Sequence, residues 1–582
     1  MKTDKNTVIG FVLLAVLFFV YFWYTSKQQN EIAAYKKRFD DSVAMVKANA
    51  EKAAALNTVA LIDSTKKDAS GNGVVADTLK EQIAILENDL IKVELTNKGG
   101  QVARVTLKKY TNSKKELVQL GDSSSLSYAV NAGNNQTVQI NQVIFPVTNV
   151  STDQNGVQKI EYAWTAPNGK TIKHQFTLSK GKYNVDWNIV MDGADQLLTN
   201  NQLNVLWDAH SYGQEKTTTY ERQMSNICFS EGNEFDYISS NTNKVFEKPV
   251  QWVGLVQQFF TTTVLYKDGF NSGKIDWQRK TDSSNGLATL QAQFQTKLTG
   301  ANATMPLSLY YGPNDFEILK SQAPEMEQIV NLGRDLYSFV RPINKYIIMP
   351  VFDFFAGFVQ NYGWVVFLLT IFIRLVTSPL TYSSFLSTAK MKVLKPELDE
   401  LKKKTGDDQQ AYAMEQMKLF REAGVNPLGG CIPVIVQMPI LIAMFRFFPA
   451  SIELRGESFL WATDLSTYDA LISWDQHIPL ISTFYGNHIS IFTLLMTAST
   501  ILYTRMNQQM TAGTGSSEQM KQMQIIMYVM PLMFMFVLNS YPAGLTYYYF
   551  LSNIVTFSMQ WGIRKSVNDE AILAKIEAKK AQ

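Results

Sequence analysis

The run YGWVVFLLTIFIRLVTSPLT, Tyr362–Thr381, decides how this chain is to be read. It has the length and apolar character of a membrane helix, which needs about 20 residues to cross. Yet Arg374 sits inside it, and Leu375, Val376, Pro379 and Leu380 continue the apolar run beyond. The other stretches of membrane-helix composition, Gly429–Phe448, Ile489–Thr504, Met523–Asn539 and Gly544–Gly562, contain no Asp or Glu that could pair with it. A cation at bilayer depth costs at least about 2.5 kcal/mol, and such residues face a bundle interior or a water-filled cavity. Thr370, Arg374, Thr377, Ser378 and Thr381 fall at i, i+4, i+7, i+8 and i+11, so one helix face collects them all. These five are the candidate lining of a hydrophilic groove within the membrane. The competing reading has the hydroxyls bonding their own i−4 carbonyls and Arg374 snorkelling to headgroups.

The 582 residues leave room for several domains, and the 46% hydrophobic content with 12% aromatics is unevenly spread, as in a membrane protein with a large soluble insert. A formal charge of +3 gives no ground for a nucleic-acid binder. Cys228 and Cys431 lie in regions that should not meet, so no disulfide framework is expected. Val8–Tyr24 follows Lys2 and Lys5 and ends in aromatics, which reads as an anchor over residues 1–24 with its amino terminus in the cytoplasm. Residues 25–85, rich in Ala, Lys, Glu, Asn and Ser, read as a tether.

From residue 86 the periodicity becomes two, the mark of half-buried strands. Ile91, Val93 and Leu95 alternate, turn through Asn97–Gly100 and return as Val105 and Leu107. Ile160, Tyr162 and Trp164, a Pro167-Asn168-Gly169 turn, then Ile172, His174, Phe176 and Leu178 spell a hairpin, and Tyr183, Val185, Trp187 and Ile189 a third strand. Residues 86–325 are therefore expected to form a large antiparallel β sandwich. Gly169-Lys170-Thr171 ends like a phosphate-binding loop, but the required earlier glycine is Trp164, and the hairpin turn accounts for it. His174, His210, His477 and His488 lack ligand spacing, and His174 continues a strand face; neither a metal nor a cofactor is expected. A sandwich of this size can also bind sugars through scattered acids and aromatics, so a membrane-anchored sugar-binding or carbohydrate-active protein stands as the alternative.

Lys and Arg counts orient the rest. Residues 383–428 carry eight and form a cytoplasmic helical hairpin, with apolar stripes Met391, Leu394, Leu398, Leu401 and Met414, Met417, Phe420, a turn at Thr405–Asp408 and a fresh helix opened by Pro396. Residues 449–488 are acidic and face outward, 505–522 are cytoplasmic, and the basic tail 563–582 is cytoplasmic. Spans at 361–382, 429–448, 489–504, 523–539 and 544–562, with the first anchor, make six crossings with both termini inside and the β domain outside. Residues 330–360 mix bases with aromatics, as an amphipathic helix on the outer surface would.

Asn361-Tyr-Gly-Trp, Arg374-Leu-Val-Thr-Ser-Pro-Leu380, Ala389-Lys-Met-Lys-Val-Leu-Lys-Pro396, Val425-Asn-Pro-Leu-Gly-Gly-Cys431, Gln437-Met-Pro439, Glu453-Leu-Arg455 and Tyr541-Pro-Ala-Gly-Leu545 through Tyr548-Tyr549 and Ser552-Asn553 resemble the YidC family of membrane protein insertases, in its long bacterial form. The resemblance extends to Trp252-Val-Gly-Leu255 in the β region and covers essentially the whole chain. It implies an inner-membrane insertase and chaperone, not an enzyme, with a periplasmic supersandwich and a five-helix insertase core. Arg374 matches the family's groove arginine, Thr370 and Tyr549 match positions that contact the inserting segment, and Tyr548 lies beside them. Implied partners are nascent integral membrane proteins, the Sec translocon with its accessory subunits, the translating ribosome, which a basic tail and hairpin would also suit, and membrane lipids. A secondary transporter would show paired repeats and intramembrane acids or histidines, and neither is visible.

Overall fold

The alternation of apolar and polar residues dictates the β region, and the structure, a computed structural model, follows it. It describes residues 80–582 except 134–135, 147, 241, 281–284, 407, 426–431, scattered positions in 475–484, 512–517, 567–568 and 581–582. The anchor at 1–24, nearly all of the tether and Cys431 therefore lie outside the described residues. The first strand, Ile83–Glu87, begins inside the segment read as tether and pairs with Ile91–Thr96.

Among the described residues three antiparallel sheets of four, nine and six strands make up the β region, and their inward residues share one continuous core. Along Gln202–Tyr212 every second residue is buried, from Leu203 through Val205, Trp207 and Ala209 to Ser211, the period of a strand with one wet face. The hairpin has the expected register, Ile160 opposite Phe176, Tyr162 opposite His174 and Trp164 opposite Ile172, with Lys170 in its turn. His174 is fully buried. Its Nδ1 lies 2.7 Å from the Gly100 carbonyl and its Nε2 2.6 Å from the Tyr128 hydroxyl, which fixes Nδ1 as donor and Nε2 as acceptor. Burial pushes its pKa down to about 4, as befits a neutral core residue. Trp187 stacks on Phe176 with ring centroids 5.1 Å apart and meets the His174 ring edge at 5.0 Å.

After the last strand of the β region, Asn302–Pro313, the chain turns helical. Asp335–Val340, Arg341–Ile343, Asn344–Ile348 and Met349–Ala356 run on without a break. Val340, Asn344, Ile348 and Phe352, one turn apart, are buried, while Leu336, Tyr346 and Phe354 stand exposed. Asn344 Nδ2 donates to the carbonyls of Leu332 and Ala443 at 2.8 and 3.0 Å, which ties this run to a later helix.

Among the described residues eight α-helices follow: α1 Tyr362–Val393, α2 Lys395–Thr405, α3 Gln409–Glu422, α4 Ile432–Ala450, α5 Ile491–Thr511, α6 Glu518–Leu538, α7 Ala543–Ser566 and α8 Asp569–Lys580. Among the described residues α1 alone is long and apolar enough to cross a membrane by itself; Gln437–Ala450, Ile491–Met506 and Met527–Leu538 are shorter apolar stretches. Helix α1 outruns the span read at 361–382, passing through Pro379 to a cap at Leu394, after which Pro396 opens α2. At its other end Gly363 lies against the Phe459 ring, where a Cβ would collide. Gly406 ends α2 at φ 57°, and Asp408 caps α3 by accepting from the N–H groups of Gln410 and Ala411 at 3.1 and 3.0 Å. The tail is a helix with a buried face: Ile572 and Ile576 of α8 join Phe385, Leu394, Leu398 and Phe420 in a second, smaller core.

A polar seam joins the β region to the loop after α4. Arg455 Nε donates to Glu215 Oε1 at 2.8 Å, with the two side chains 7% and 11% exposed. The Arg455 guanidinium lies over the Phe260 ring, 4.9 Å from its centroid. Glu221 is fully buried, and its Oε2 accepts from the backbone N–H groups of Gln214 and Glu215. Burial, with the Glu215 carboxylate nearby, pushes the Glu221 pKa up to about 8.

Candidate functional site

Arg374 projects from α1 toward α7, where Ser552 meets it. Both Nε, at 2.8 Å, and Nη2 of the guanidinium donate to the Ser552 hydroxyl oxygen. A guanidinium has five N–H donors. Two are thus engaged, and among the described residues the other three have no hydrogen-bond partner and no carboxylate lies within ion-pair reach. Arg374 lines a cavity of about 40 Å³ together with Ile373, Thr377, Gln437, Ile440, Leu441, Tyr548 and Ser552. One water needs roughly 10–15 Å³ of such space, so there is room for about three or four. The lining comes from α1, α4 and α7.

Of the residues singled out in the sequence, the structure gathers Arg374, Thr377 and Tyr548 around this cavity. Thr370 is fully buried, and Thr381 nearly so. Both hydroxyls, and that of Thr377, donate to carbonyls one turn earlier: Thr370 to Val366 at 2.7 Å, Thr377 to Ile373 at 2.9 Å and Thr381 to Thr377 at 3.2 Å. The local bonding that competed with the groove reading is therefore present, and Thr377 lines the cavity as well. Ser378 is half-buried and outside the cavity lining, and the Tyr549 hydroxyl donates to the Leu441 carbonyl at 3.1 Å on α4. Gln437 and Ser552, which also line the cavity, stand in the motifs quoted above but were not among the candidate site residues. The signal lay in their being polar within apolar helices.

Two family profiles cover most of the described chain: the YidC periplasmic domain over residues 83–346 and the 60Kd inner membrane protein over 354–570. Relatives match from end to end. The membrane protein insertase YidC of Parabacteroides distasonis is 33% identical, over 99% of this chain and 94% of its own. Those of Amoebophilus asiaticus and Cytophaga hutchinsonii are 36% and 37% identical over 99% of this chain and 95% and 93% of theirs. The chain belongs to the YidC family of membrane protein insertases. As a member of the YidC family it is a membrane insertase, an inner-membrane protein whose substrates are nascent membrane proteins, and the sugar-binding alternative is not favoured. A galactose mutarotase-like protein from Lactobacillus casei is similar over 40% of this chain and all of its own, at 10% identity and a TM-score of 0.27. That likeness carries no argument about this chain.

Proposed function

We propose that the polar, often acidic, leading segment of a nascent membrane protein enters the cavity beside Arg374 while its hydrophobic segment slides along α1, α4 and α7 into lipid. The observation that carries this reading is the arginine itself, held by one hydroxyl and otherwise facing space for water. In this reading Arg374, Thr370, Thr377, Ser378 and Thr381 form the groove face of α1, and Tyr548 and Tyr549 contact the inserting segment. The polar cavity shortens the dry distance a charged segment crosses. Burying a helix of about 20 apolar residues then supplies the drive at roughly 25 cal/mol per Å², and a membrane potential adds about 2.3 kcal/mol per acidic charge per 100 mV. No step needs a chemical catalyst. In this reading six spans place both termini in the cytoplasm and the β region in the periplasm, and the chain works alone or with the Sec translocon and the ribosome.

The test is insertion of a short single-span substrate with an acidic leader into proteoliposomes, comparing wild type with Arg374→Ala and Arg374→Lys. Loss with alanine and retention with lysine is the expected result. Equal insertion by Arg374→Ala would mean that charge attraction has no part in the process.

A further inference from the structure

We infer that Ser552 and Asn553 are positioning residues for Arg374: Ser552 aims the guanidinium into the cavity, and Asn553 locks α7 against α5 so that Ser552 stays in place. The inference rests on the groove reading above and adds the residues that set the arginine's direction.

An arginine on a mostly apolar helix has a long, flexible stem, and left to itself its head seeks headgroups or bulk water. Here Nε and one Nη2 N–H converge on the single Ser552 oxygen. A hydroxyl has two acceptor lone pairs, so one serine saturates one edge of the planar fork. The opposite edge is thereby turned to the cavity, which Ser552, Tyr548 and Arg374 all line. Tyr548 precedes Ser552 by one helical turn, so both belong to the face of α7 that meets α1.

The next residue serves the other neighbour. Successive helical residues point about 100° apart, and Asn553 reaches α5. Its Nδ2 donates to Ser499 Oγ at 3.0 Å and Thr500 Oγ1 at 2.8 Å. Both hydroxyls have already given their own hydrogens to the Met496 carbonyl, at 2.8 and 2.7 Å. Each therefore has only lone pairs left to offer, and the two amide N–H groups of Asn553 match them one to one. The pairing admits one rotation and one height of α7 on α5. Because Ser552 is the adjacent residue, fixing Asn553 fixes where the Arg374 acceptor stands. Helices in a membrane have little hydrophobic reason to prefer one register over another, and interhelical hydrogen bonds supply that preference.

The test uses the full chain in proteoliposomes and two substrates that differ only in an acidic or a neutral leader. If the serine orients the charge, Ser552→Ala lowers acidic-leader insertion about three- to tenfold more than neutral-leader insertion, the range one interhelical hydrogen bond commands. Ser552→Thr, which keeps the hydroxyl, restores the ratio. Asn553→Leu, close in volume but without donors, moves the ratio in the same direction. A Ser552→Ala loss that is equal for both leaders would reduce the residue to packing and overturn the inference. So would a Ser552→Ala protein that matches wild type while Arg374→Ala is impaired, a result that leaves the groove reading standing. If Arg374→Ala also matches wild type, the groove reading itself has failed.

Discussion

Two arginines, Arg374 in the helical core and Arg455 in the seam, are treated in opposite ways. Arg455 has a carboxylate at 2.8 Å and a phenylalanine ring under its guanidinium, and almost none of it is left to solvent. Arg374 has a hydroxyl and a small cavity. A buried pair satisfies its charges mutually and holds two surfaces together, but it is neutral to anything passing by. A half-buried cation with no carboxylate in reach among the described residues keeps its field for whatever enters. The seam thus uses its charge to hold structure, and the helical core leaves its charge available.

The comparison can be broken most forcefully from the structural side. Trp187→Ala, which empties a fully buried ring site between Phe176 and His174, should cost roughly 3–5 kcal/mol of β-region stability, read by chemical unfolding; a cost below 1 kcal/mol would show that the core repacks. Arg455→Ala strands Glu215 in a buried setting and should cost about 3 kcal/mol, read by the same unfolding, with the preference for acidic leaders retained. If that preference vanished with Arg455, the division between the two arginines would be wrong.

Protonation sharpens the contrast further. Glu221 keeps its proton in the folded chain up to about pH 8, whereas an unfolded glutamate loses it near 4.5. Between those values the folded state holds the extra proton, so stability falls as pH rises, by up to about 1.4 kcal/mol per unit. His174 behaves in reverse. Folded, it takes its proton only near pH 4, against 6.5 unfolded, so stability falls as pH drops through that window. The two slopes offset each other between about pH 4.5 and 6.5, so unfolding measured across pH should show stability falling from about 6.5 to 8, and Glu221→Gln should remove that fall and uncover the His174 slope below it. The smallest effect belongs to the hairpin: Asp408→Ala removes a helix cap and should lower its local stability by about 1 kcal/mol, seen as faster amide exchange in α3.

Strand register was readable because a period of two allows no ambiguity once one face is buried: the Ile160–Phe176 and Ile91–Leu107 pairings lie where the alternation puts them. Arg374 was readable because a charge in an apolar helix demands a reason. Its partner was harder to see. Ser552 gains its role from the packing of α7 on α1, which no local pattern encodes, and the same holds for Glu215 and Arg455, 240 positions apart. The continuation of α1 beyond residue 382 was hidden because the apolar run gives way there to Ser383 and Ser384 and then to Lys390 and Lys392, yet α1 runs on to Val393. The tail looked like an ordinary basic extension because two isoleucines at i and i+4 are a weak signal until Leu398 and Phe420 are placed against them.

That last contact sets an order in time. The hairpin of α2 and α3 is synthesised before α4, α5, α6 and α7, but two residues of its core, Ile572 and Ile576, arrive only with α8 at the far end of the chain. Throughout the making of four intervening helices, Leu398 and Phe420 wait with one side of their packing missing. The hairpin is therefore among the last parts of the molecule to close, and a chain halted short of α8 leaves it ajar.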